Sequence, residues 1–360
     1  MWPAGLSPAM PCAIIIAMTT CYAYDPVEQR HTLAGHPEHK GRLASTLRLL
    51  REDGIFARLQ AIEVTPISPE RLQRVHPDGY VRRVEAMARS GGGHLDPDTY
   101  VATGSYEAAL ASAGALINLV EKVVAEKGVN GMSLMRPPGH HALPTRGMGF
   151  CLFANVALAA YTARAEFGVE RILIVDWDVH HGNGTEAICA EDPTIAFFST
   201  HQYPFYPGTG ALHDRGRGAG LGSVVNVPFP AGVGDSGYAL AFEKVLVPFA
   251  RRFRPDLILV SAGYDAHWRD PLAMEQLSLE GYAALARRVR ALADELCEGR
   301  LVVALEGGYD LDVLPHAVLN TLRILEDPAA PISDPFGPSP MPERDVSALI
   351  DEIRALHGLN

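Results

Sequence analysis

The 360-residue sequence predicts a single α/β domain: an open parallel sheet with helices on both faces and a site at the carboxyl ends of its strands. Three observations predict it. Short apolar runs alternate with longer amphipathic stretches. Several runs are rich in Ile and Val without polar alternation, which suits strands covered on both faces. Five of the runs are followed at once by dense polar clusters, and in open α/β sheets that edge is where ligands bind.

The predicted strands are Thr20–Tyr24, Met132–Met135, Arg171–Trp177, Thr194–Phe198, Leu257–Ser261 and Leu301–Ala304. Helices are predicted over Ser105–Glu126, Phe153–Glu166, Ala239–Phe253 and Leu279–Glu298, the first opened by Thr103, Gly104 and Ser105 with Glu107 behind them. Residues 326–343, rich in Pro and Asp, are expected to wrap the surface before a short final helix. No repeat, charge block or linker divides the chain, so residues 19–360 read as one domain. Residues 1–18 read as an extension outside the fold. Residues 11–18 have the apolar core of a signal peptide, but the first basic residue is Arg30, so the positive leading segment is missing and Met18 is an alternative start.

Composition narrows the function classes. At 48% hydrophobic and 20% charged, the chain has enough apolar surface to fold, which excludes disorder as its main state. The net charge is −11, from 31 Lys+Arg against 42 Asp+Glu. That excludes a nucleic-acid backbone binder, which needs a basic face, and suits a cationic substrate. No run of 18 apolar residues points to a membrane. The five cysteines are odd in number and form no CxxC, which argues against a disulfide framework and an all-cysteine zinc site. A reducing cytoplasm is the expected compartment, and a homo-oligomer is compatible with the sequence.

The sharpest segment is Asp176–Trp–Asp178–Val–His180–His181–Gly–Asn183–Gly184. Asp176, Asp178 and His180 are spaced by two, so an extended chain points them the same way. Two carboxylates beside an imidazole at a strand end suit a divalent metal; a capping acidic loop is the plainer reading, and this pattern is too particular for it. A catalytic zinc takes three protein ligands and leaves one position open. Asp265, ending Ser261–Ala–Gly–Tyr–Asp265, is the best third ligand, with a helix cap as its alternative. The set would also accept Fe(II) or Co(II). In Arg136–Pro–Pro–Gly–His140–His141 a stiff turn holds two histidines, as metal ligands or as acid and base. In Glu306–Gly307–Gly308–Tyr309 the glycines let backbone approach a ligand closely, and the Tyr hydroxyl can donate into the site. Two weaker signals are set aside. Gly218–Gly222 reads as a turn and not a dinucleotide loop, and His31, His36 and His39 read as substrate rim or solvated surface.

Together these segments resemble the histone deacetylase superfamily, in its class II-like and bacterial amidohydrolase branches, related to the acetylpolyamine amidohydrolases. The resemblance rests on RPPGHHA at 136–142, GFCLF at 149–153, DWDVHHGNGT at 176–185, YPGTG at 206–210, SAGYDAHWRDPL at 261–272 and LEGGYD at 305–310. It implies an arginase-like open α/β fold and zinc-dependent removal of acyl groups from amines, one zinc per chain. It makes Asp178, His180 and Asp265 the zinc ligands. Asp176 then pairs with His140, Asn183 with His141, and Tyr309 is the catalytic tyrosine. Gly149 offers its carbonyl to the substrate amide, Phe150 and Tyr206 wall the acyl tunnel, and Gly307 lies on the substrate path. Asp98 matches the rim aspartate, with Asp96 its rival, and Arg42 the arginine beneath the tunnel. A structural K+ or Na+ would sit at Asp176, Asp178, His180, Ser199 and Thr200.

The residue types fit that chemistry. Asp176 favours a charged imidazolium at His140, while neutral Asn183 gives His141 less such bias. His141 is therefore the expected general base and His140 the electrostatic stabiliser. Leu272, in the region where polyamine-selecting relatives carry an acidic gatekeeper, leans the expected substrate toward acyl-lysine peptide or protein over acylated polyamine. The rivals are a dinuclear manganese ureohydrolase on the same fold, which needs further bridging aspartates, and an acyl-lysine binding module without turnover, against which His140, His141 and Tyr309 together argue.

Overall fold

The strands in chain order are β1 (Thr19–Ala23), β2 (Gln60–Ile62), β3 (Gly93–Asp96), β4 (Thr99–Val101), β5 (Val129–Ser133), β6 (Ile172–Asp176), β7 (Ile195–Gln202), β8 (Val224–Phe229), β9 (Leu257–Ala262) and β10 (Leu301–Leu305). The helices are α1 (Gly41–Asp53), α2 (Pro69–Leu72), α3 (Asp78–Arg89), α4 (Ser105–Ala125), α5 (Asn155–Glu166), α6 (Asn183–Cys189), α7 (Asp235–Ala241), α8 (Val247–Phe253), α9 (Leu279–Leu296), α10 (Val313–Glu326) and α11 (Ser347–His357). This computed structural model describes residues 18–359, so the expectation for the segment before Met18 lies outside the described residues.

Eight strands form one parallel sheet in the order β2-β1-β5-β10-β9-β6-β7-β8, and β3 pairs with β4 in a separate antiparallel hairpin. Alternate residues of the central strands divide between two apolar layers. Leu173 and Val175 of β6 face the layer built with α1, α9 and α10, while Ile172 and Ile174 face the layer built with α4 and α5. Both faces are covered, so the strands need no polar alternation. The five polar loops follow β5, β6, β7, β9 and β10, which are neighbours in the sheet. Their residues therefore converge over a short stretch of one edge.

The six predicted strands are all present, each displaced by a few residues at most. β8 was not predicted because Asn226 and Pro228 interrupt its apolar run; Pro is tolerated there because β8 is the edge strand. The predicted helix Ala239–Phe253 begins earlier, at Asp235, and contains a π-helical turn at Phe242–Leu246, which ends two residues before Pro248. A proline lacks the N–H of a regular turn, and the widened turn absorbs it. α9 starts where Ser278 accepts a hydrogen bond from the Gly281 N–H. α4 is long and apolar enough by composition to cross a membrane, the one such helix among the described residues, but most of it is buried inside the fold against the sheet and α5. Cys21, Cys151, Cys189 and Cys297 are free and buried.

Candidate active site

The loop after β6 brings Asp178 and His180 to Asp265 from the loop after β9. His180 Nδ1 lies 3.1 Å from Asp178 Oδ1 and 3.2 Å from Asp265 Oδ2, and one ligand atom from each of the three residues lies within 4.8 Å of the others. Four ligands arranged tetrahedrally at about 2.0–2.1 Å from a zinc stand about 3.3 Å apart. The donor set and these separations fit that ion. The carboxylates are held from behind: Asp178 Oδ2 accepts from the Gly307 N–H (2.8 Å) and Asp265 Oδ1 from the Val179 N–H (3.0 Å). Asp265 Oδ2 is buried with no hydrogen-bond partner. One imidazole N–H cannot serve two carboxylates, whereas a cation between them can.

Glycines make room for this packing. A Cβ at Gly263 would stand 2.1 Å from Asp178 Oδ2, and one at Gly307 2.1 Å from Asp265 Oδ2. Gly307, expected on the substrate path, is thus placed against the two carboxylates.

The histidine pair sits over this cluster, with ring centroids 3.9 Å apart. His140 Nδ1 donates to Asp176 Oδ2 (3.1 Å) and His141 Nδ1 to Asn183 Oδ1 (2.8 Å). Burial opposes charge on both. At His140 the carboxylates of Asp178 and Asp176 overcome it and carry the pKa up to about 10. At His141 burial is reinforced by the positive charges of His140 and His180, and the pKa falls well below the usual imidazole range. The surroundings therefore push the two rings in opposite directions, His140 toward the charged form and His141 toward the neutral one. Asp176 is not among the three clustered ligands; it serves His140.

Tyr309 follows β10 and rests on the Arg42 guanidinium, 4.8 Å from its ring centroid. Its N–H donates to Asp270 Oδ2 (2.7 Å), and the other carboxylate oxygen of Asp270 accepts from the Leu272 N–H (3.0 Å). Asp270 thus ties the tyrosine to the rim. The Phe150 ring lies edge-on to Tyr309 at 5.8 Å, and the Tyr206 ring lies edge-on to His141 at 5.2 Å. Phe150 adopts φ +68°, a left-handed conformation that costs a bulky residue about 1–3 kcal/mol. Gly149 before it packs on His141, where a Cβ would meet Cδ2 at 2.3 Å.

Leu272 is half-buried and lines a hollow with residues 32–41, at the rim and not in the core. Asp98 is exposed at the turn of the β3–β4 hairpin and its carbonyl accepts from His36 Nε2 (3.0 Å); Asp96 Oδ1 accepts from the Asp98 N–H (3.2 Å). Ser199 and Thr200 lie in β7 beside Asp176, the Thr200 hydroxyl buried without a partner. His31 corrects the expectation of a solvated surface. It is buried, 2.6 Å from Ser105 Oγ and stacked on Tyr100, because the loop from 26 to 41 folds inward over α4.

Sequence reasoning named Arg42 but missed the buried ion pairs that hold it beneath the site. Glu28, Arg136, Glu38 and Arg42 form one buried chain of ion pairs: Arg136 binds Glu28 at 2.9 Å and Glu38 at 2.6 Å, and Glu38 also binds Arg42. Arg42 donates in turn to the carbonyls of Gly308 (2.7 Å) and Glu306 (2.6 Å), fixing the tyrosine loop. Glu28 and Glu38 both lie far in sequence from Arg136, although Glu38 stands four residues before Arg42. Glu306 was read only as part of a motif. Its carboxylate accepts from the Gly139 N–H (2.7 Å), the His140 N–H (3.2 Å) and Ser261 Oγ (3.0 Å), and so locks the histidine loop to the sheet. It also lies close to His140 and Cys151, but these hydrogen bonds already occupy both of its oxygens.

The chain matches the histone deacetylase domain over residues 36–325. It is 42% identical over 349 residues to histone deacetylase 10, chloroplastic, of Oryza sativa subsp. japonica, covering 91% of this chain and 79% of that protein. It is 44% identical over 307 residues to a histone deacetylase-like amidohydrolase of Pseudomonas aeruginosa, covering 84% and 80%. The crystal structure of the HDA15 HD domain superposes with a TM-score of 0.86 at 33% identity, covering 95% of each chain.

Proposed function

We propose that this chain, which belongs to the histone deacetylase family and is an amidohydrolase of the deacetylase type, is a zinc-dependent deacylase of N-acyl-lysine, releasing free amine and carboxylate. The observation that carries the reading is the opposite electrostatic setting of the two histidines, one on a carboxylate and one on an amide, above a cluster of two carboxylates and an imidazole.

Asp178, His180 and Asp265 would hold the zinc. When bound, zinc lowers the pKa of a water toward about 7 and polarises an amide carbonyl. The chain's own residues do the rest. His141, its Nδ1 proton committed to Asn183, takes a proton from the attacking water at Nε2 and later delivers it to the departing amine. His140 stays charged and stabilises the negative charge developing in the transition state. The Tyr309 hydroxyl donates to the oxyanion, and Arg42 with Asp270 keeps that ring in place. The Gly149 carbonyl accepts the substrate amide N–H, Phe150 and Tyr206 exclude water from the acyl tunnel, and Asp98 holds substrate backbone at the rim. A K+ or Na+ beside Asp176, Asp178, His180, Ser199 and Thr200 would be structural.

Leu272 supports lysine over polyamine. A polyamine keeps further positive charges outside the tunnel and gains from a carboxylate at the mouth, whereas this rim position is apolar. An acylated polyamine or another small acyl-amine is the second reading, favoured by the net charge of −11. Zinc-reconstituted protein offered a fluorogenic acetyl-lysine peptide and N-acetylputrescine, each with and without a hydroxamate, separates them. Hydroxamate-sensitive turnover chiefly of the peptide is the expected result. Turnover chiefly of N-acetylputrescine would overturn the lysine assignment, and none from either or from longer acyl chains would overturn deacylation.

A further inference from the structure

His181, the second histidine of the loop after β6, takes no part in the chemistry above, yet it is buried. Its Nε2 lies 2.9 Å from Glu186 Oε2 in α6, and its Nδ1 lies 2.8 Å from Thr209 Oγ1 in the loop between β7 and β8. The same Glu186 oxygen accepts from Asn226 Nδ2 of β8 (2.7 Å). A carboxylate on Nε2 fixes the N–H there and leaves Nδ1 to accept the Thr209 hydroxyl. Beside it, His201 Nε2 donates to the Gly210 carbonyl (2.8 Å) and its Nδ1 accepts from Ser199 Oγ (2.9 Å). The two imidazoles are 4.7 Å apart and close on Gly210 at φ +82°, where a Cβ would stand 2.5 Å from one ring and 2.6 Å from the other.

These bonds end three residues after Tyr206. The other end of that loop is tied through backbone, by the Tyr203 N–H on the Phe229 carbonyl (2.6 Å). Between the two ties Phe205 stacks on His180 at 5.6 Å and Tyr206 stands edge-on to His141. Packing alone does not hold the far side. A cavity of about 390 Å³ opens there, lined by Met148, Asn183, Pro207 and Thr209. A loop released from Thr209 has space to move into.

We infer that His181, braced by Glu186, is a positioning residue that holds Thr209 and thereby keeps Tyr206 in the tunnel wall beside His141. The inference deepens the deacylase reading and rests on it for its kinetic consequence, though not for its structural one. Losing the anchor widens the tunnel and weakens substrate binding, while the groups that move protons are left in place.

The test uses the full chain loaded with zinc. Thr209→Val keeps the side-chain volume and removes the hydroxyl; His181→Phe removes both hydrogen bonds; His181→Gln keeps a donor and an acceptor. Steady-state kinetics on the acetyl-lysine peptide are read beside hydrogen–deuterium exchange over residues 203–210. Thr209→Val is expected to raise KM about fivefold, with kcat within about twofold, the size of one lost hydrogen bond. Exchange in the loop is expected to quicken by a similar factor. Adding His181→Phe to Thr209→Val should add little, because both cut one link, and His181→Gln should recover most of the loss. A Thr209→Val protein with unchanged KM and unchanged loop exchange overturns the inference, as does a loss confined to kcat. If the zinc-loaded parent turns over nothing, the deacylase reading fails; loop exchange in Thr209→Val then still decides the role of His181.

Discussion

Asn183→Asp exchanges an amide for a carboxylate of the same shape against His141 Nδ1, at a contact of 2.8 Å. The neighbouring ring shows what a carboxylate does in this setting: burial opposes charge on His140 as it does on His141, yet Asp178 and Asp176 carry His140 up to about 10. Opposite charges about 4 Å apart attract by about 4 kcal/mol at an effective dielectric near 20, which is about three pKa units. Burying the new carboxylate takes back part of that, so a rise of about one to three units is expected at His141. A general base works deprotonated. Raising its pKa therefore moves the acidic limb of the kcat/KM profile to higher pH by the same amount, and activity lost on the acidic side should recover as the pH is raised. The assay is a pH profile on the acetyl-lysine peptide from about pH 5.5 to 10, with bound zinc measured alongside. An acidic limb that stays in place while zinc is retained would refute the assignment of His141 as the base tuned by a neutral partner.

Tyr309→Phe keeps the ring on Arg42 and against Phe150 and should retain zinc while losing about 100- to 1000-fold in kcat, the cost of one oxyanion donor; undiminished turnover would sink that role. Asp265→Asn should reduce zinc content below one per chain by metal analysis, since it removes charge from a buried three-ligand set; full occupancy would show that the ligands lie elsewhere. Leu272→Glu should move the ratio of turnover from acetyl-lysine peptide toward N-acetylputrescine, and an unchanged ratio would remove this rim position from selectivity. Glu38→Gln leaves Arg42 and Arg136 short of a buried partner and should cost about 3–5 kcal/mol in denaturant unfolding. For the parent protein, burial opposes the charge of Glu38, but Arg136 and Arg42 hold its pKa down at about 2. The stability it contributes is present above its unfolded value near 4.5 and lost as pH falls from there toward about 2, by about 3 kcal/mol. Acid unfolding curves of Glu38→Gln and parent should therefore converge at low pH.

The fold was legible where burial on both faces removes polar alternation. β6, β9 and β10 are uninterrupted apolar runs, and each ends in the polar cluster expected of it. β2 has three residues and β8 contains Pro228, so neither carries a pattern strong enough to read; pairing with β1 and β7 makes them strands. The candidate metal cluster was legible in part. Spacing by two is a local property and marked Asp176, Asp178 and His180, but the chain bends over residues 178–180 and Asp176 falls outside the cluster; joining Asp265 to the other two required knowing that β9 and β6 are neighbours.

What the sequence by itself determined is the local chemistry: which residue types stand at the strand ends, which turns are stiff, and where glycine allows a close approach of backbone. The difference between His140 and His141 could be anticipated because their partners, Asp176 and Asn183, differ in charge. Only the tertiary structure decided what stands between and behind those groups. It buried Glu28, Arg136, Glu38 and Arg42 in one chain under Tyr309, turned His31 inward, and set His181 between Glu186 and Thr209. Apart from Glu38 with Arg42, four residues on, these pairings are not local, and each group is polar, so no hydrophobic period marks it. A buried polar side chain is placed by the partner that satisfies it, and that partner is chosen by the fold.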